Sequence, residues 1–208
     1  MQSIRGKHAV GLDPATLARQ ISGHQHLLID LGTGDGRFVR HVAATQPNTF
    51  AIGIDLCGGN LRRISRRAPA NALYLIANAY APPPELHGLA THLTINFPWG
   101  DLLTGLLGHD ERLVSALDAL CRPGSRLEVR INAGALAEAG WSLPAANIAV
   151  KHALHSAGFA ITAPPRLLDA RDLRAFPTTW AHRLAFGRDA RALYLQGLKI
   201  GDAKIDNS

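Results

Sequence analysis

Residues 28–37 read Leu28-Ile29-Asp30-Leu31-Gly32-Thr33-Gly34-Asp35-Gly36-Arg37, an apolar run with an acid that continues through three glycines. This pattern is typical of a buried strand that turns sharply into a helix. The glycines let the backbone approach a ligand without an intervening Cβ. A second apolar run, 50–54, ends at Asp55. Dinucleotide-type folds place the acid that binds ribose hydroxyls about 20 residues beyond the glycines. The two runs predict a nucleoside-binding turn.

The charge of this loop argues against a phosphate-bearing ligand. It contains no lysine, and Asp35 stands in its middle. Acids on both sides of a glycine-rich loop suit a nucleoside that carries positive charge and no phosphate. S-adenosylmethionine fits, because it has a sulfonium, an ammonium and a ribose diol. The alternatives are a tight strand–helix turn that binds nothing and, more distantly, a dinucleotide oxidoreductase.

The composition is that of a basic, globular protein. The chain has 208 residues, of which 47% are apolar, and a net charge of +6. That length suits one domain, 1–208, with residues 1–26 as an extension packed on its core. No apolar run reaches the ~18 residues of a membrane span, and residues 1–8 contain no signal-peptide core. We therefore expect a cytoplasmic protein with a polyanionic partner such as nucleic acid. A generic basic protein is the alternative.

Apolar runs that alternate with amphipathic segments predict an α/β fold with a parallel sheet. Asp13-Pro14 predicts the start of a first helix, and Arg122-Pro123-Gly124 a break before the fifth strand. Two closing strands, 159–163 and 192–198, have no full crossover helix between them, which suggests a hairpin-like end to the sheet. The arrangement resembles the Rossmann-like class I S-adenosylmethionine-dependent methyltransferase fold, a seven-stranded, mostly parallel sheet with an antiparallel last strand. The first five strands are expected at 27–31, 50–54, 73–77, 92–97 and 126–131, the helices between them at 36–44, 59–68, 102–107 and 111–120, and a further helix at 145–156.

Ligands of open α/β sheets bind beyond the carboxyl ends of the strands. Candidate cofactor-binding residues therefore follow strands one to four. They are Asp30, Gly32, Thr33, Gly34, Asp35, Asp55, Leu56, Asn78, Ala79, Tyr80, Asn96 and Phe97.

Two tryptophans are candidates for holding a planar base. Trp99 follows strand four in Asn96-Phe97-Pro98-Trp99-Gly100, and Trp180 lies in the loop between the last two strands, above the same sheet edge. Stacking of a base on an aromatic ring contributes ~1–3 kcal/mol, and an enzyme that modifies a base must hold it out of the stack. Core packing is the alternative for each, and we prefer it for the third tryptophan, Trp141.

Clustered arginines are candidates for RNA contacts. Four of them form one face of the helix after strand two, near the same end of the sheet, and two follow Trp180. Such residues could bind phosphates with a salt-dependent affinity, although a solvated basic face is the alternative. The six are Arg62, Arg63, Arg66, Arg67, Arg183 and Arg188.

The chain shows no nucleophile–base pair at a suggestive spacing. A ring nitrogen such as adenine N1 already carries a lone pair and can attack a sulfonium methyl without losing a proton. Such a reaction needs orientation and desolvation more than a base. The methylated ring becomes cationic, and tryptophan faces favour that charge.

These motifs together resemble the 16S rRNA adenine-N1 methyltransferases, which act on adenosine 1408 of the decoding site and can give aminoglycoside resistance. The resemblance rests on 29–37, 53–55, 97–100 and 179–188, and covers nearly the whole chain in order. It implies S-adenosylmethionine as cofactor and 16S rRNA in the 30S subunit as partner, and we expect a monomer. It implies that Trp99 and Trp180 sandwich the flipped adenine and that Arg66, Arg67, Arg183 and Arg188 contact rRNA. It adds Thr178 to the cofactor pocket, and we include its neighbour Thr179.

Several positions depart from the pattern expected of that family. Tyr80 stands where a carboxylate is expected near the adenine of the cofactor, and Asp101 replaces a small hydroxyl residue. The connections 68–72 and 132–150 are short and contain no lysine. Two alternatives remain: another RNA methyltransferase, such as a tRNA guanine-N7 enzyme, or a basic RNA-binding homologue with weak or no catalysis.

Overall fold

The computed structural model describes residues 1–201, with ten strands and nine α-helices in that range. The strands are β1 (Gln2–Arg5), β2 (His8–Gly11), β3 (His26–Leu31), β4 (Thr49–Asp55), β5 (Ala72–Ile76), β6 (Ala90–Asn96), β7 (Cys121–Asn132), β8 (Phe159–Ile161), β9 (Arg166–Leu168) and β10 (Ala192–Lys199). The helices are α1 (Pro14–Ile21), α2 (Arg37–Thr45), α3 (Gly58–Ser65), α4 (Gly100–Leu107), α5 (Glu111–Leu120), α6 (Ala133–Glu138), α7 (Leu143–Ser156), α8 (Ala170–Ala175) and α9 (Thr179–Leu184).

All ten strands form one sheet, in the order β2-β1-β5-β4-β3-β6-β7-β10-β8, with β9 also paired to β10. Strands β3 to β7 are mutually parallel, and β10 runs antiparallel between β7 and β8. The sequence predicts seven of these strands, which are, in the order of the sheet, β5, β4, β3, β6, β7, β10 and β8. The predicted fold class is therefore confirmed, and the sheet is extended beyond it by β1, β2 and β9.

Helices cover both faces of the sheet. On one face α2 and α3 pack on β1, β4 and β5 through Val39, Leu61 and Ile64. The other face carries α1, α4, α5 and α7, whose leucines meet the fully buried side chains of β3, β4 and β6. Because both faces are covered, the central strands are apolar along their whole length, as in other parallel sheets. No helix within residues 1–201 is long and apolar enough to cross a membrane.

The structure corrects several sequence predictions of local structure. The N-terminal segment forms the β1–β2 hairpin before α1, and β1 pairs antiparallel with β5. Residues 122–124, expected to break the chain, lie inside β7, where the pairing with β6 is irregular. The last two core strands are separated by β9, α8 and α9 and do not form a simple hairpin. The predicted start of α1 is confirmed, since the Asp13 side chain accepts from Thr16 N.

The strand order reverses between β3 and β6. From β3 the chain continues to β4 and β5 on one side, whereas β6, β7 and β10 lie on the other. Crevices form at such switch points beyond the carboxyl ends of the strands. The end of β3, where Asp30 stands, is therefore the place at which this topology favours a ligand.

Candidate cofactor and base-binding cleft

A cleft of about 810 Å³ opens at the carboxyl ends of β3, β4, β5 and β6. Its walls contain both candidate tryptophans and every candidate cofactor residue except Thr179. They also contain residues that we did not predict, chiefly on α4 and the turn after it. The added lining residues are Ile54, Ala77, Pro98, Asp101, Leu102, Thr104, Gly105, Gly108, Asp110 and Arg112.

The turn after β3 depends on its glycines. Gly32, Gly34 and Gly36 have φ angles of 67°, 58° and 68°, a region that side chains with a Cβ rarely adopt. A Cβ at Gly32 would also lie 2.7 Å from Leu102 Cδ2. Next to Gly34 there is open space. The turn therefore offers bare backbone to the cleft, as the sequence predicts.

Asp55 holds this turn in place. Its Oδ2 accepts the Gly34 N–H at 2.8 Å, and its Oδ1 accepts the Cys57 N–H at 2.8 Å. The sequence predicts only that this acid binds ribose hydroxyls. Each carboxylate oxygen can accept a further hydrogen bond, so the same group can orient the glycine turn and bind a diol.

Asp30 lies beneath the turn and is almost fully buried. Its Oδ1 accepts hydrogen bonds from Thr94 Oγ1 at 2.7 Å and Asn96 Nδ2 at 2.8 Å. Burial raises the pKa of Asp30, and these hydrogen bonds oppose the rise. Asn96 Oδ1 in turn accepts from Arg130 Nη1 at 2.9 Å, and Arg130 Nη2 lies 2.6 Å from Glu128 Oε2. A chain of polar contacts thus crosses β3, β6 and β7 under the cleft.

The charges of the cleft favour a cationic ligand. Among the described residues 1–201, Arg112 is the one cationic side chain in the lining, and it is already paired with Asp110 at 2.7 Å. In the part of the chain that the structure describes, a phosphate would find no unpaired cation in the cleft, whereas a sulfonium or ammonium would be attracted. The open backbone beside Gly34 and this balance of charge fit S-adenosylmethionine. The acids that line the cleft are Asp30, Asp35, Asp55, Asp101 and Asp110.

Tyr80 closes the cleft against α4. Its hydroxyl donates to the Asp101 backbone oxygen at 2.6 Å, and the Arg112 guanidinium lies 5.2 Å from its ring centroid. A Cβ at Gly105 would overlap the Tyr80 hydroxyl. The sequence signal for this wall is Gly105 inside α4, where only a residue without a side chain leaves room for the Tyr80 hydroxyl.

The two tryptophans meet at the mouth of the cleft. Trp99 and Trp180 are 47% and 38% exposed, and their ring centroids lie 5.7 Å apart with the planes at 86°. Neither stands on a free loop, because Trp99 directly precedes α4 and Trp180 is the second residue of α9. Two parallel rings around a base need roughly 7 Å, or two contact distances. At least one indole must rotate before a base fits between them. Trp141 packs against the core, as predicted.

The turn that presents Trp99 is strained. Phe97, although bulky and buried, has a φ of 52°, and its N–H donates to the Arg130 backbone oxygen at 2.7 Å. A positive φ in such a residue is an outlier that costs about 1–3 kcal/mol and is often found at ligand sites. Pro98 then fixes the direction of the chain toward Trp99.

The arginines fall into two separate groups. Arg183 and Arg188 are exposed on α9 and just after it, in the segment that carries Trp180. Arg62, Arg63, Arg66 and Arg67 are exposed on and after α3, as predicted. The expectation that this second group lies near the cleft end of the sheet is wrong for its last members. Gly6 N donates to Ser65 Oγ at 2.9 Å, which places Arg66 and Arg67 beside the hairpin turn. Because β1 is antiparallel to β5, that turn lies toward the amino ends of the parallel strands.

Comparisons with known proteins find relatives that match nearly the whole chain. Residues 2–199 match the family model described as 16S rRNA (adenine(1408)-N(1))-methyltransferase. A protein of that description from Escherichia coli is 32% identical over 206 residues, covering 90% of this chain and 94% of the relative. Another, from Streptoalloteichus hindustanus, is 31% identical over 212 residues, covering 91% and 94%.

Solved structures extend the similarity to three dimensions. The 16S rRNA methyltransferase KamB superposes with a TM-score of 0.87 at 28% identity, covering 96% of this chain and all of that one. An antibiotic-related methyltransferase superposes with a TM-score of 0.84 at 30% identity, covering 94% and 99%. These similarities span nearly the full length of each protein.

Proposed function

The chain belongs to the 16S rRNA (adenine(1408)-N(1))-methyltransferase family, and we propose that its cleft methylates N1 of adenosine 1408 with S-adenosylmethionine. The observation that carries the proposal is the position of two exposed tryptophans at the mouth of an acid-lined, glycine-walled cleft. The cofactor of the family supplies an electrophilic methyl group on a sulfonium.

Trp99 and Trp180 are the residues that we propose to hold the flipped adenine. Adenine N1 attacks through its ring lone pair, so no side chain has to remove a proton. The described cleft walls contain no histidine, cysteine or lysine, which suits a reaction driven by orientation. The adenine becomes cationic as the N1–methyl bond forms, and indole faces favour that charge.

The cofactor is proposed to bind between the glycine turn and the ends of β4, β5 and β6. Asp55 binds the ribose hydroxyls while holding Gly34, and Asp30 with Asn96 forms the floor. The remaining wall consists of the other predicted residues that line the cleft: Gly32, Thr33, Asp35, Leu56, Asn78, Ala79, Tyr80, Phe97 and Thr178.

The RNA is proposed to be 16S rRNA within the assembled 30S subunit, bound by one copy of the chain. Arg183 and Arg188 are exposed in the segment of Trp180, where they can bind phosphates next to the flipped base. Both tryptophans and nearly all the candidate cofactor residues meet in one cleft of this chain, so the proposed chemistry needs no residue from a second copy. Aminoglycoside resistance is the proposed consequence of methylation at the decoding site.

Methyl transfer from tritium-labelled cofactor tests the proposal directly. The acceptors are purified 30S subunits, free 16S rRNA and tRNA, and the modified base is mapped by primer extension, which stops at a base methylated on N1. We expect label in 30S subunits and a stop at adenosine 1408. Label in tRNA instead would favour the guanine-N7 alternative, and no transfer to any RNA would favour a non-catalytic binding protein.

Substitution of the tryptophans tests their role. Because both rings are exposed, Trp99→Ala and Trp180→Ala should leave the melting temperature nearly unchanged, whereas a core Trp→Ala costs ~3–5 kcal/mol. Each single variant should lose most of the methyl-transfer activity. The double variant should lose little more, because both rings stack on the same base in the same step. The Phe variants should retain part of the activity. Trp141→Ala is the control, with a lowered melting temperature. Full activity in either stable Ala variant would contradict the base clamp.

A further inference from the structure

The carboxylate of Asp35 joins the glycine turn to the segment that carries Trp180. Its Oδ1 accepts the Arg37 N–H at 3.1 Å, at the start of α2. Its Oδ2 accepts the Thr179 N–H at 3.1 Å, at the start of α9. The two donors are 142 residues apart in sequence (179 − 37), so this side chain makes a tertiary link between the cofactor turn and the base-binding segment.

An aromatic cluster links the same two regions. Phe38, in the first turn of α2, stacks on Phe176 with centroids 5.2 Å apart and planes at 10°. Phe176 meets Phe97 edge to face at 5.2 Å and 89°. Phe97 lies two residues before Trp99, and Phe176 lies four residues before Trp180. The first turn of α2 therefore contacts the segment that carries Trp180, and Phe176 links it in turn to the segment that carries Trp99.

The Thr179 N–H that donates to Asp35 belongs to the first turn of α9. The first backbone N–H groups of a helix have no partner within the helix. Thr178 Oγ1 accepts the Ala181 N–H at 3.1 Å, and Asp35 accepts that of Thr179. Residue 179 directly precedes Trp180, so the glycine turn fixes the backbone from which this indole projects.

We propose that Asp35 is a positioning residue that sets the orientation of Trp180 for the bound adenine. This role rests on the proposed function and extends it, because the sequence assigns Asp35 only to the cofactor pocket. Its two acceptor oxygens are engaged with backbone N–H groups of α2 and α9. A ligand that orders the glycine turn therefore also orders the start of α9, which links cofactor binding to capture of the base.

Asp35→Ala and Asp35→Asn test this role, with Arg37→Ala as the matched control. Arg37→Ala removes only the side chain whose Nε lies 3.6 Å from Asp35 Oδ2 and keeps both backbone hydrogen bonds. For Asp35→Ala we expect turnover on 30S subunits to fall about 10- to 100-fold, the effect of a misplaced reacting group. Because Asp35 also lines the cofactor wall, cofactor affinity measured by calorimetry should fall as well, but by a clearly smaller factor than turnover. Asp35→Asn keeps one oxygen acceptor and should restore part of the turnover, and Arg37→Ala should behave like the wild type.

Fluorescence reports on Trp180 without any RNA. In a Trp99→Phe, Trp141→Phe background, Trp180 is the single emitter, and acrylamide quenching measures its exposure. Asp35→Ala in that background should increase quenching, and Arg37→Ala should leave it unchanged.

Two results would overturn the positioning role. One is unchanged quenching together with a loss of cofactor affinity as large as the loss of turnover, which would make Asp35 a cofactor ligand. The other is wild-type turnover in a folded Asp35→Ala variant. Absence of methyl transfer by the wild type would instead refute the proposed function, while the quenching measurement would still decide whether Asp35 positions Trp180.

Discussion

Two carboxylates that line the cleft accept hydrogen bonds from backbone N–H groups. Asp55 accepts the N–H groups of Gly34 and Cys57, and Asp35 those of Arg37 and Thr179. Their spacing in the sequence predicts acids beside a nucleoside. It cannot reveal which backbone donors meet them, because Thr179 reaches Asp35 only through tertiary packing. Substitution of either acid therefore changes the shape of the cleft as well as its charge.

Replacing Asp55 should weaken cofactor binding. Asp55→Ala removes the acceptor for Gly34 and the group proposed to bind the ribose, so we expect a loss of ~1–3 kcal/mol in calorimetric binding of S-adenosylmethionine. Asp55→Asn keeps one acceptor oxygen and should lose less. A folded Asp55→Ala protein with unchanged affinity would remove Asp55 from the site. Tighter binding of NAD than of S-adenosylmethionine would refute the cofactor assignment.

The strands that form the core of the sheet were predictable because their burial is continuous. Strands β3 and β4 are buried along nearly their whole length, so their apolar runs stand out in the sequence. The β1–β2 hairpin is mostly exposed and has no such run. Helices α8 and α9 have six residues each, too few for a 3.6-residue period to become visible. The predicted cofactor turn followed from the core strands, whereas the wall made by Tyr80 and α4 depends on packing that periodicity does not encode.

A largely buried carboxylate, that of Glu128, lies where β6 pairs with β7. Glu128 on β7 lies 3.0 Å from Arg126 Nη2, 2.6 Å from Arg130 Nη2 and 3.6 Å from His92 Nε2 on β6. Burial alone would raise the pKa of Glu128, but the contacts with His92 and Arg130 outweigh it and hold the pKa well below its usual range. The folded state therefore binds this proton less readily than the unfolded state.

This shift predicts acid sensitivity of the fold. A depressed pKa contributes stability above the unfolded value of about 4.3, and that stability is lost as the pH falls below it toward the folded pKa. Thermal melts of the wild type should therefore drop more steeply between about pH 5 and pH 3 than those of Glu128→Gln. Glu111→Gln, at an exposed glutamate in the first turn of α5, should follow the wild type. Parallel pH profiles for wild type and Glu128→Gln would show that Glu128 does not carry the effect.

Positive and negative charge are separated over the protein. The net charge is +6, yet the described lining of the cleft contains five aspartates and a single, paired arginine. The positive charge therefore lies on the exterior, where Arg5, Lys7 and His8 of the hairpin meet Arg66. Composition predicted a polyanionic partner but not this location. Helix α3 starts at the cleft end of β4 and runs about 12 Å back along the sheet, which carries Arg66 and Arg67 away from the cofactor.

That separation predicts that RNA binding can be changed without affecting cofactor binding. Arg66→Glu with Arg67→Glu should weaken binding to 30S subunits and flatten its dependence on salt, because fewer phosphates are neutralised. Calorimetric affinity for S-adenosylmethionine should stay the same, because neither residue lines the cleft.

A second double variant separates local contact from overall charge. Arg19→Glu with Arg122→Glu lowers the net charge by the same amount at exposed positions on α1 and at the start of β7. If Arg66 and Arg67 contact rRNA, only the variant in which their own charges are reversed should show the large loss of affinity for the 30S subunit. Equal losses in the two double variants would mean that the 30S subunit responds to the net charge of the protein. Wild-type binding by Arg66→Glu, Arg67→Glu at every salt concentration would make that basic face a solvated surface, and the RNA contacts would then rest on Arg183 and Arg188 beside the tryptophans.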